Sequence, residues 1–397
     1  MAIVEPRSAA EAAEAIREAG ARGRSFEIIG LASKARIGRM PEASDRLDVS
    51  HLAGIIGYEP EELILTLKPG TPLSLIQDTL RQRQQMLAFE PPDFTCLLGT
   101  GSGTIGGAFA TNFSGPRRIK AGAARDYILG FSGINGRGEI FQAGGRVVKN
   151  VTGYDLPKLL CGSWGTLAVM TEITLKVMPA PETEVSVGLA GLDHAGAVGA
   201  MCAAFQSSAE VSAAAFMPDV LRFGGSSGSQ TLLRLEGIEA SVKARAAMLE
   251  ALLSQFGDPF AVEGGGSQAA WAAIRDTRPL ETYANHLIWR LSVPANSSGA
   301  VIRSIREAVD AKYFCDWGGG LIWLAVPFSA DGDEGAIRSA LKAFGGHATL
   351  IRAPEGVRQS VAVFEPQPPA LAALTRRVKA SFDPQRVLNP SRMYEGV

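Results

Sequence analysis

The stretch GTGSGTIGGAFATNFSGPRR, residues 99–118, carries five glycines in its first nine positions. Within it Gly101-Ser102-Gly103-Thr104-Ile105-Gly106 matches G-x-G-x-x-G, and Asp126 stands 20 residues beyond Gly106, so a dinucleotide fingerprint on a βαβ unit has to be weighed. Such a fingerprint follows a buried strand and opens a helix whose N-terminus takes the pyrophosphate. Here Pro91 and Pro92 stand upstream in place of a strand, and Asn112, Ser114, Gly115 and Pro116 break any helix within ten residues. Pro91 to Gly115 therefore reads as a turn-rich loop, unsuited to a core helix and too apolar for a linker, that wraps something. A second loop of small residues, Gly30-Leu31-Ala32-Ser33-Lys34, follows the strand-like Phe26, Ile28 and Ile29. Backbone N–H groups of such loops can converge on an anion, with Ser33, Thr104 and Asn112 adding side-chain hydrogen bonds. Two loops can grip one pyrophosphate from both sides; a pair of tight turns is the plain alternative.

Around these loops the pattern is α+β. Ser8 stands three residues before Glu11 as a capping box, and Ala12, Ile16 and Ala19 follow at helical spacing. Leu63–Leu67 reads as a strand; Thr71 and Pro72 then supply an N-cap and an N1 proline, with Leu73, Ile76, Leu80 and Met86 as one apolar stripe. Strands resume at Tyr127–Ile134 and Glu139–Ala143 across an Asn135-Gly136 turn, and again at Leu167–Val177, ahead of a boundary at Pro179-Ala180-Pro181. Beyond it, residues 184–190, 194–207, 211–217, 231–236, 239–255 and 259–263 spell β-α-β-β-α-β, the split βαβ pattern, and 286–293 to 347–352 repeat it. An extra helix is expected near Ser267–Ile274, and a tail helix over Leu371–Ala380 ends before Phe382-Asp383-Pro384. The expected organisation is residues 1–180, then 181–370 as a duplicated split-βαβ domain, then 371–397 as a helix and tail returning to the first domain.

Composition narrows the class. At 397 residues the chain exceeds twice the usual ~150-residue domain. Its 39 Lys+Arg and 40 Asp+Glu nearly cancel, and no basic block invites nucleic acid or an anionic membrane surface. Cys96, Cys161, Cys202 and Cys315 are far apart, so neither a disulfide framework nor a metal or iron–sulfur site is expected. Charges through Met1–Gly20 leave no apolar h-region, and no membrane-spanning run occurs. A cytoplasmic chain is expected, at a membrane only through a partner, with the sequons at Asn112, Asn150 and Asn296 read as ordinary loops.

The motifs in order decide between ligand loops and plain turns. Gly30 to Lys34 with Gly38-Arg39, Pro91-Pro92, Thr104 to Gly107, Asn112 to Arg118, Arg125-Asp126, Gly153 to Leu156 and Gly162-Ser163-Trp164-Gly165-Thr166-Leu167 resemble a PCMH-type FAD-binding domain of the vanillyl-alcohol oxidase class. That resemblance spans Ala2 to Pro179. The run GRVVKNVTGYDL at 145–156, Trp289 to Pro294, Gly346 to Thr349 and Phe382 to Pro390 further resemble the E-subunit family of bacterial glycolate oxidases. The implied fold is a PCMH-type FAD-binding domain of two α+β subdomains followed by a ferredoxin-like α/β cap domain. The implied cofactor site comprises Gly30, Leu31, Ala32, Ser33 and Lys34 as first phosphate loop, and Thr104, Ile105, Gly106 and Gly107 as second. Pro91 and Pro92 belong to it, Asn112, Ser114 and Gly115 lie beside the flavin, and Gly162, Gly165, Thr166 and Val169 lie along the adenosine half. Relatives that tether FAD use a histidine in the first loop; Ala32, Ser33 and Lys34 imply noncovalent FAD. Trp164 and Ala168 depart from the family's common Gly-Ser-Glu-Gly-Thr-Leu-Gly.

None of His51, His194, His286 or His347 stands in the His-x-Gly-Asp context that related 2-hydroxy acid dehydrogenases carry, so no catalytic base or metal is assigned. His51 reads as a turn residue, His194 as a cap or surface group, and His286 shares a strand with Arg290. Alternation over 286–293 puts His286, Ile288, Arg290 and Ser292 on one face, and the resemblance implies that Arg290, with His286, binds the substrate carboxylate. The expectation is an FAD-binding subunit of a glycolate-oxidising complex acting on a small 2-hydroxy acid, with a D-type flavoprotein subunit and an iron–sulfur subunit as partners. A stand-alone oxidase of another substrate and a structural subunit remain alternatives; colour and single-chain activity separate them.

Overall fold

The computed structural model describes residues 1–146, 153–218 and 228–397; the middle of the 145–156 run, with the Asn150 sequon, lies outside the described residues. The chain divides into two compact units, Met1–Ser114 with Ala123–Pro179 and Pro366–Val397, and Gly115–Gly122 with Ala180–Glu365.

In the first unit the Ser8 hydroxyl accepts the Glu11 N–H at 3.2 Å and starts the helix Ala9–Ala21. Its small and apolar face, Ala12, Ala13, Ile16 and Ala19, packs on Phe26, Leu47, Val49 and Leu52, joined by Val387 and Leu388 from the far end of the sequence. Phe26–Ile29 and Ile3–Val4 flank Asp45–Asp48 in a parallel sheet of three strands. The tail runs alongside it: the Phe26 N–H donates to Val387 O at 2.7 Å and the Asn389 N–H to Phe26 O at 2.9 Å. A second, antiparallel sheet runs Ile55–Glu59, Ile64–Leu67, Ala168–Lys176, Ile128–Asn135, Ile140–Gly144.

Three local expectations change. The helix after Pro72 spans Leu73–Arg81, but Thr71 does not cap it. The Thr71 hydroxyl instead donates to Lys68 O at 2.6 Å and accepts the Gly54 N–H at 2.9 Å. Met86 leaves the stripe to pair, in Gln85–Met86, with Met178–Pro179. Nor is the glycine-rich stretch all turn, because Ile105–Thr111 is a short helix, with Thr104 Oγ1 accepting the Gly107 N–H at 3.2 Å. It can lie against Pro69 because residue 106 is glycine: a Cβ there would sit 2.7 Å from Pro69 Cβ. Asn112, left-handed at φ 55°, ends it within the distance that the proline and polar run suggests.

The second unit is built on one sheet of eight strands, in the order Phe260–Glu263, Thr183–Ala190, Gln230–Gly237, Ala213–Met217, Lys312–Asp316, Leu321–Val326, Leu287–Ser292, His347–Arg352. Each set of four closes as a split βαβ sheet, fourth strand beside first, third between first and second. The sets join where Phe216 faces Cys315. Leu287–Ser292 lies inside this sheet: Leu287, Trp289 and Leu291 are buried on one face, and Arg290 and Ser292 stay partly exposed on the other, where Ile288 is buried as well. His286 falls just before it.

Candidate functional site

Strand Phe26–Ile29 delivers the chain into residues 30–35, where Ala32 adopts a left-handed φ of 53°. Across a gap stand residues 103–107. A Cβ on Gly30 would lie 3.2 Å from Thr104 Oγ1, and one on Gly103 would lie 3.0 Å from Lys34 Nζ and 3.1 Å from Ser33 Oγ. Glycine at both positions keeps the gap open. Two adjoining clefts share Gly30, Thr104, Gly107, Ala110, Trp164 and Asn389 as lining. Burial pulls the Lys34 ammonium down to about 8, with Asp93 opposing the shift.

Of the residues expected at the cofactor, Gly30, Leu31, Ala32, Ser33, Lys34, Thr104, Gly106, Gly107, Gly165 and Val169 line these clefts. The rest do not. Ile105 is in the core, and Pro91 and Pro92 are buried in the preceding turn. Asn112 Oδ1 accepts the Arg125 N–H at 3.0 Å, and Ser114 Oγ accepts the Ala124 N–H at 2.9 Å. The Gly162 N–H donates to Phe109 O at 2.9 Å, and the Thr166 hydroxyl to Ser163 O at 2.7 Å. Gly115 belongs to the second unit, where its carbonyl accepts Trp317 Nε1–H at 3.0 Å.

Sequence reasoning misses the wall that the C-terminal tail supplies. Asn389 Oδ1 accepts the Ile28 N–H at 2.7 Å while Nδ2 donates to Trp164 O at 2.7 Å, tying the strand to the Gly162–Gly165 turn. Arg392 Nη2 donates to Lys34 O at 3.0 Å and Ile37 O at 2.6 Å, which holds residues 34–37 in shape. Trp164, at φ 55°, packs its ring at right angles to Phe113, 5.8 Å away. The Asn389-Pro390 pair and the departure at Trp164 were the available signals. A small-residue cradle from two loops with a cation between them fits a dinucleotide such as FAD.

The second candidate site lies in the second unit. Cross-strand partners place Phe314, Trp323, Arg290 and Thr349 in one row, and Asp316, Leu321, Ser292 and His347 in the next row of the same face. The Arg290 guanidinium stands 5.0 Å from the Trp317 ring centre and that of Arg118 4.4 Å from it. Arg118 is brought there because Arg117 grips Glu236, Nη2 to Oε1 at 2.5 Å and Nε to Oε2 at 3.1 Å. Burial, with Arg118 adding to it, lowers Arg290 to about 10, so it stays charged at neutral pH; Asp316 opposes the shift.

His286 does not join this cluster. Four strand positions separate it from Arg290, about 13 Å of extended chain, and its ring packs on Tyr283 at 5.1 Å with Nδ1 buried and unbonded. His347 does share the face, and burial and Arg290 hold its pKa below the usual histidine value. His194 is no surface group: its ring nitrogens bond Tyr313 Oη and Ser298 Oγ, both at 2.9 Å. His51 lies in a turn, 3.9 Å from Glu5.

Residues 1–144 match the FAD binding domain family, and residues 356–393 match the C-terminal domain of FAD linked oxidases. The fold superposes on p-cresol methylhydroxylase with substrate bound at a TM-score of 0.75 and 13% identity, over 99% of this chain and 88% of that one. These define an FAD-linked oxidoreductase of PCMH-type fold. With 32% identity over 370 residues to glycolate oxidase subunit GlcE of Escherichia coli strain K12, covering 92% of each, the chain belongs to the GlcE family of glycolate oxidase subunits. Glycolate oxidase subunit GlcD of Bacillus subtilis strain 168 is 34% identical over 199 residues, 49% of this chain and 39% of that one. Among the described residues no helix is long and apolar enough to cross a membrane.

Proposed function

We propose that this chain is the FAD-binding subunit of a glycolate oxidase complex, oxidising glycolate or a related small 2-hydroxy acid and passing electrons to a D-type flavoprotein and an iron–sulfur subunit. The two-loop cleft with Lys34 between Gly30–Lys34 and Thr104–Gly107 carries the cofactor half of this reading. FAD supplies hydride acceptance from the hydroxyl-bearing carbon. The chain's residues do the rest: the glycines admit the diphosphate to close backbone approach, and the apolar lining from Val49, Ala168 and Val169 excludes water. With no histidine in the first loop, the cofactor is held without a covalent bond.

Arg118 and Arg290 both stand over the Trp317 ring, and Asp316 beside them accepts the Trp317 N–H at 2.7 Å. A guanidinium fork there suits the two oxygens of a monocarboxylate. His347 is the one histidine of four placed on that face, and its lowered pKa leaves a ring nitrogen free of a proton at neutral pH to accept one from a hydroxyl.

The test is reconstitution. The purified chain should be yellow and release FAD to the supernatant on acid precipitation, and alone should reduce an artificial acceptor with glycolate slowly or not at all. Activity should appear when the D-type and iron–sulfur subunits are added. Full turnover by the chain alone would favour a stand-alone oxidase; a colourless chain that ignores added FAD would favour a structural subunit.

A further inference from the structure

Lys34 carries the one cation among the first-loop side chains that reach across the cleft. Its Nζ would be 3.0 Å from a Cβ on Gly103 and 4.0 Å from one on Gly107, so the ammonium occupies the gap between the two loops. Among the described residues its one hydrogen bond is to Ser33 Oγ, long at 3.4 Å. The charges around it are otherwise engaged. Asp93, on the turn before the second loop, accepts from the Thr95 hydroxyl at 2.6 Å. Arg392 donates to the carbonyls of Lys34 and Ile37 and stands 3.7 Å from Glu27, which Arg46 also pairs at 2.9 Å. Arg36 turns away to Leu98 O at 2.8 Å. An ammonium so placed, half-buried with no carboxylate bonded to it, is suited to take an anionic partner.

We propose that Lys34 is the counter-ion of the FAD diphosphate, held by its ammonium between residues 30–34 and 103–107, so that FAD binding above neutral pH takes up a proton at Nζ. The inference rests on the reading of the clefts as the FAD site and adds to it which side chain reads the phosphates. In the protein without cofactor the ammonium titrates at about 8; beside two phosphate charges it titrates higher. The group therefore binds more protons with FAD than without, so affinity is full below about pH 8 and falls as pH rises through that value. At pH 9 about one Lys34 in ten carries its proton, so the dissociation constant should rise about tenfold from pH 7 to pH 9.

The experiment titrates FAD into the cofactor-stripped full chain at pH 7 and pH 9, followed by quenching of flavin fluorescence, for the wild type, Lys34→Arg and Lys34→Met. The wild type should weaken about tenfold across that range. Lys34→Arg, charged at both values, should bind equally at each. Lys34→Met should bind at least about tenfold more weakly than wild type at pH 7, with no difference at pH 9 beyond its own pH 7 value. A wild type with equal constants at both pH values, or a Lys34→Met chain that binds like wild type at pH 7, overturns the inference. A wild type that binds no FAD at either pH overturns the site reading itself. Far-UV circular dichroism checks folding, and if Lys34→Met fails it, the contrast between wild type and Lys34→Arg still decides.

Discussion

Lys379→Met tests whether the C-terminal tail is pinned to the first unit by one buried ion pair. Lys379, on the helix Pro369–Phe382, is 2% exposed and Asp383 is 0% exposed. The Lys379 ammonium donates to Asp383 Oδ2, Thr166 O and Leu388 O, each at 2.7 Å. Asp383 in turn accepts the Val387 N–H at 2.9 Å and the Leu388 N–H at 2.8 Å. Methionine keeps the length and the packing but leaves a buried carboxylate and two carbonyls without the cation. Breaking a buried pair from one side costs about 3–5 kcal/mol. In Lys379→Met/Asp383→Asn the orphaned charge is gone and an amide oxygen still accepts one backbone N–H, so the loss should shrink to about 1–3 kcal/mol. Urea denaturation followed by far-UV circular dichroism measures both, provided the slope is unchanged. Flavin per folded chain should fall with the single variant, since Leu388 leads directly to Asn389 on the cleft wall. A single-variant loss under about 1 kcal/mol, or a double variant no better than the single, would refute the reasoning.

Two neighbouring glycines should part company. Gly106→Ala forces a Cβ against Pro69 and should destabilise by about 1–3 kcal/mol, whereas Gly107, whose φ is not in the left-handed range and whose Cβ would meet nothing nearer than 3.5 Å, should accept Asp in the fold and lose flavin by charge repulsion; thermal unfolding of the cofactor-free form and flavin-to-protein ratio separate the two effects. Arg290→Met should weaken glyoxylate or oxalate binding, read from the flavin absorbance, by about 1.5–3 kcal/mol with FAD content unchanged, and equal dissociation constants would remove Arg290 from the site.

Local periodicity made most of the elements legible. The strand expected at Leu167–Val177 is found at Ala168–Lys176, and the extra helix expected near Ser267–Ile274 spans Gly264–Arg275. These signals survive because a half-buried helix or strand writes its period into neighbouring residues. Where the rule failed, tertiary burial had replaced it: Ile288 is buried although it shares its face with the partly exposed Arg290 and Ser292, and His286 was drawn into a strand it precedes. The same holds for Thr104–Thr111, where the glycines that read as helix breakers admit a short helix against Pro69.

The site was legible where chemistry and spacing sit in one stretch, and hidden where it depends on partners far apart. Gly30–Lys34 and Thr104–Gly107 stand out by their small residues, and the order of the motifs around them decided for ligand loops over plain turns. Beyond the Asn389-Pro390 pair, Asn389 gives no sign of its role, because it joins Ile28 to Trp164 and no window of sequence contains all three. Arg118 was hidden for a related reason: its neighbour Arg117 anchors to Glu236, and Trp317 lies across the sheet. Two arginines come together on one indole only after the chain has folded, and their mutual repulsion is tolerable there because Asp316 and the ring take part of the charge. If that surface binds the proposed monocarboxylate, the guanidinium of Arg290 is the group whose fork its two oxygens would meet.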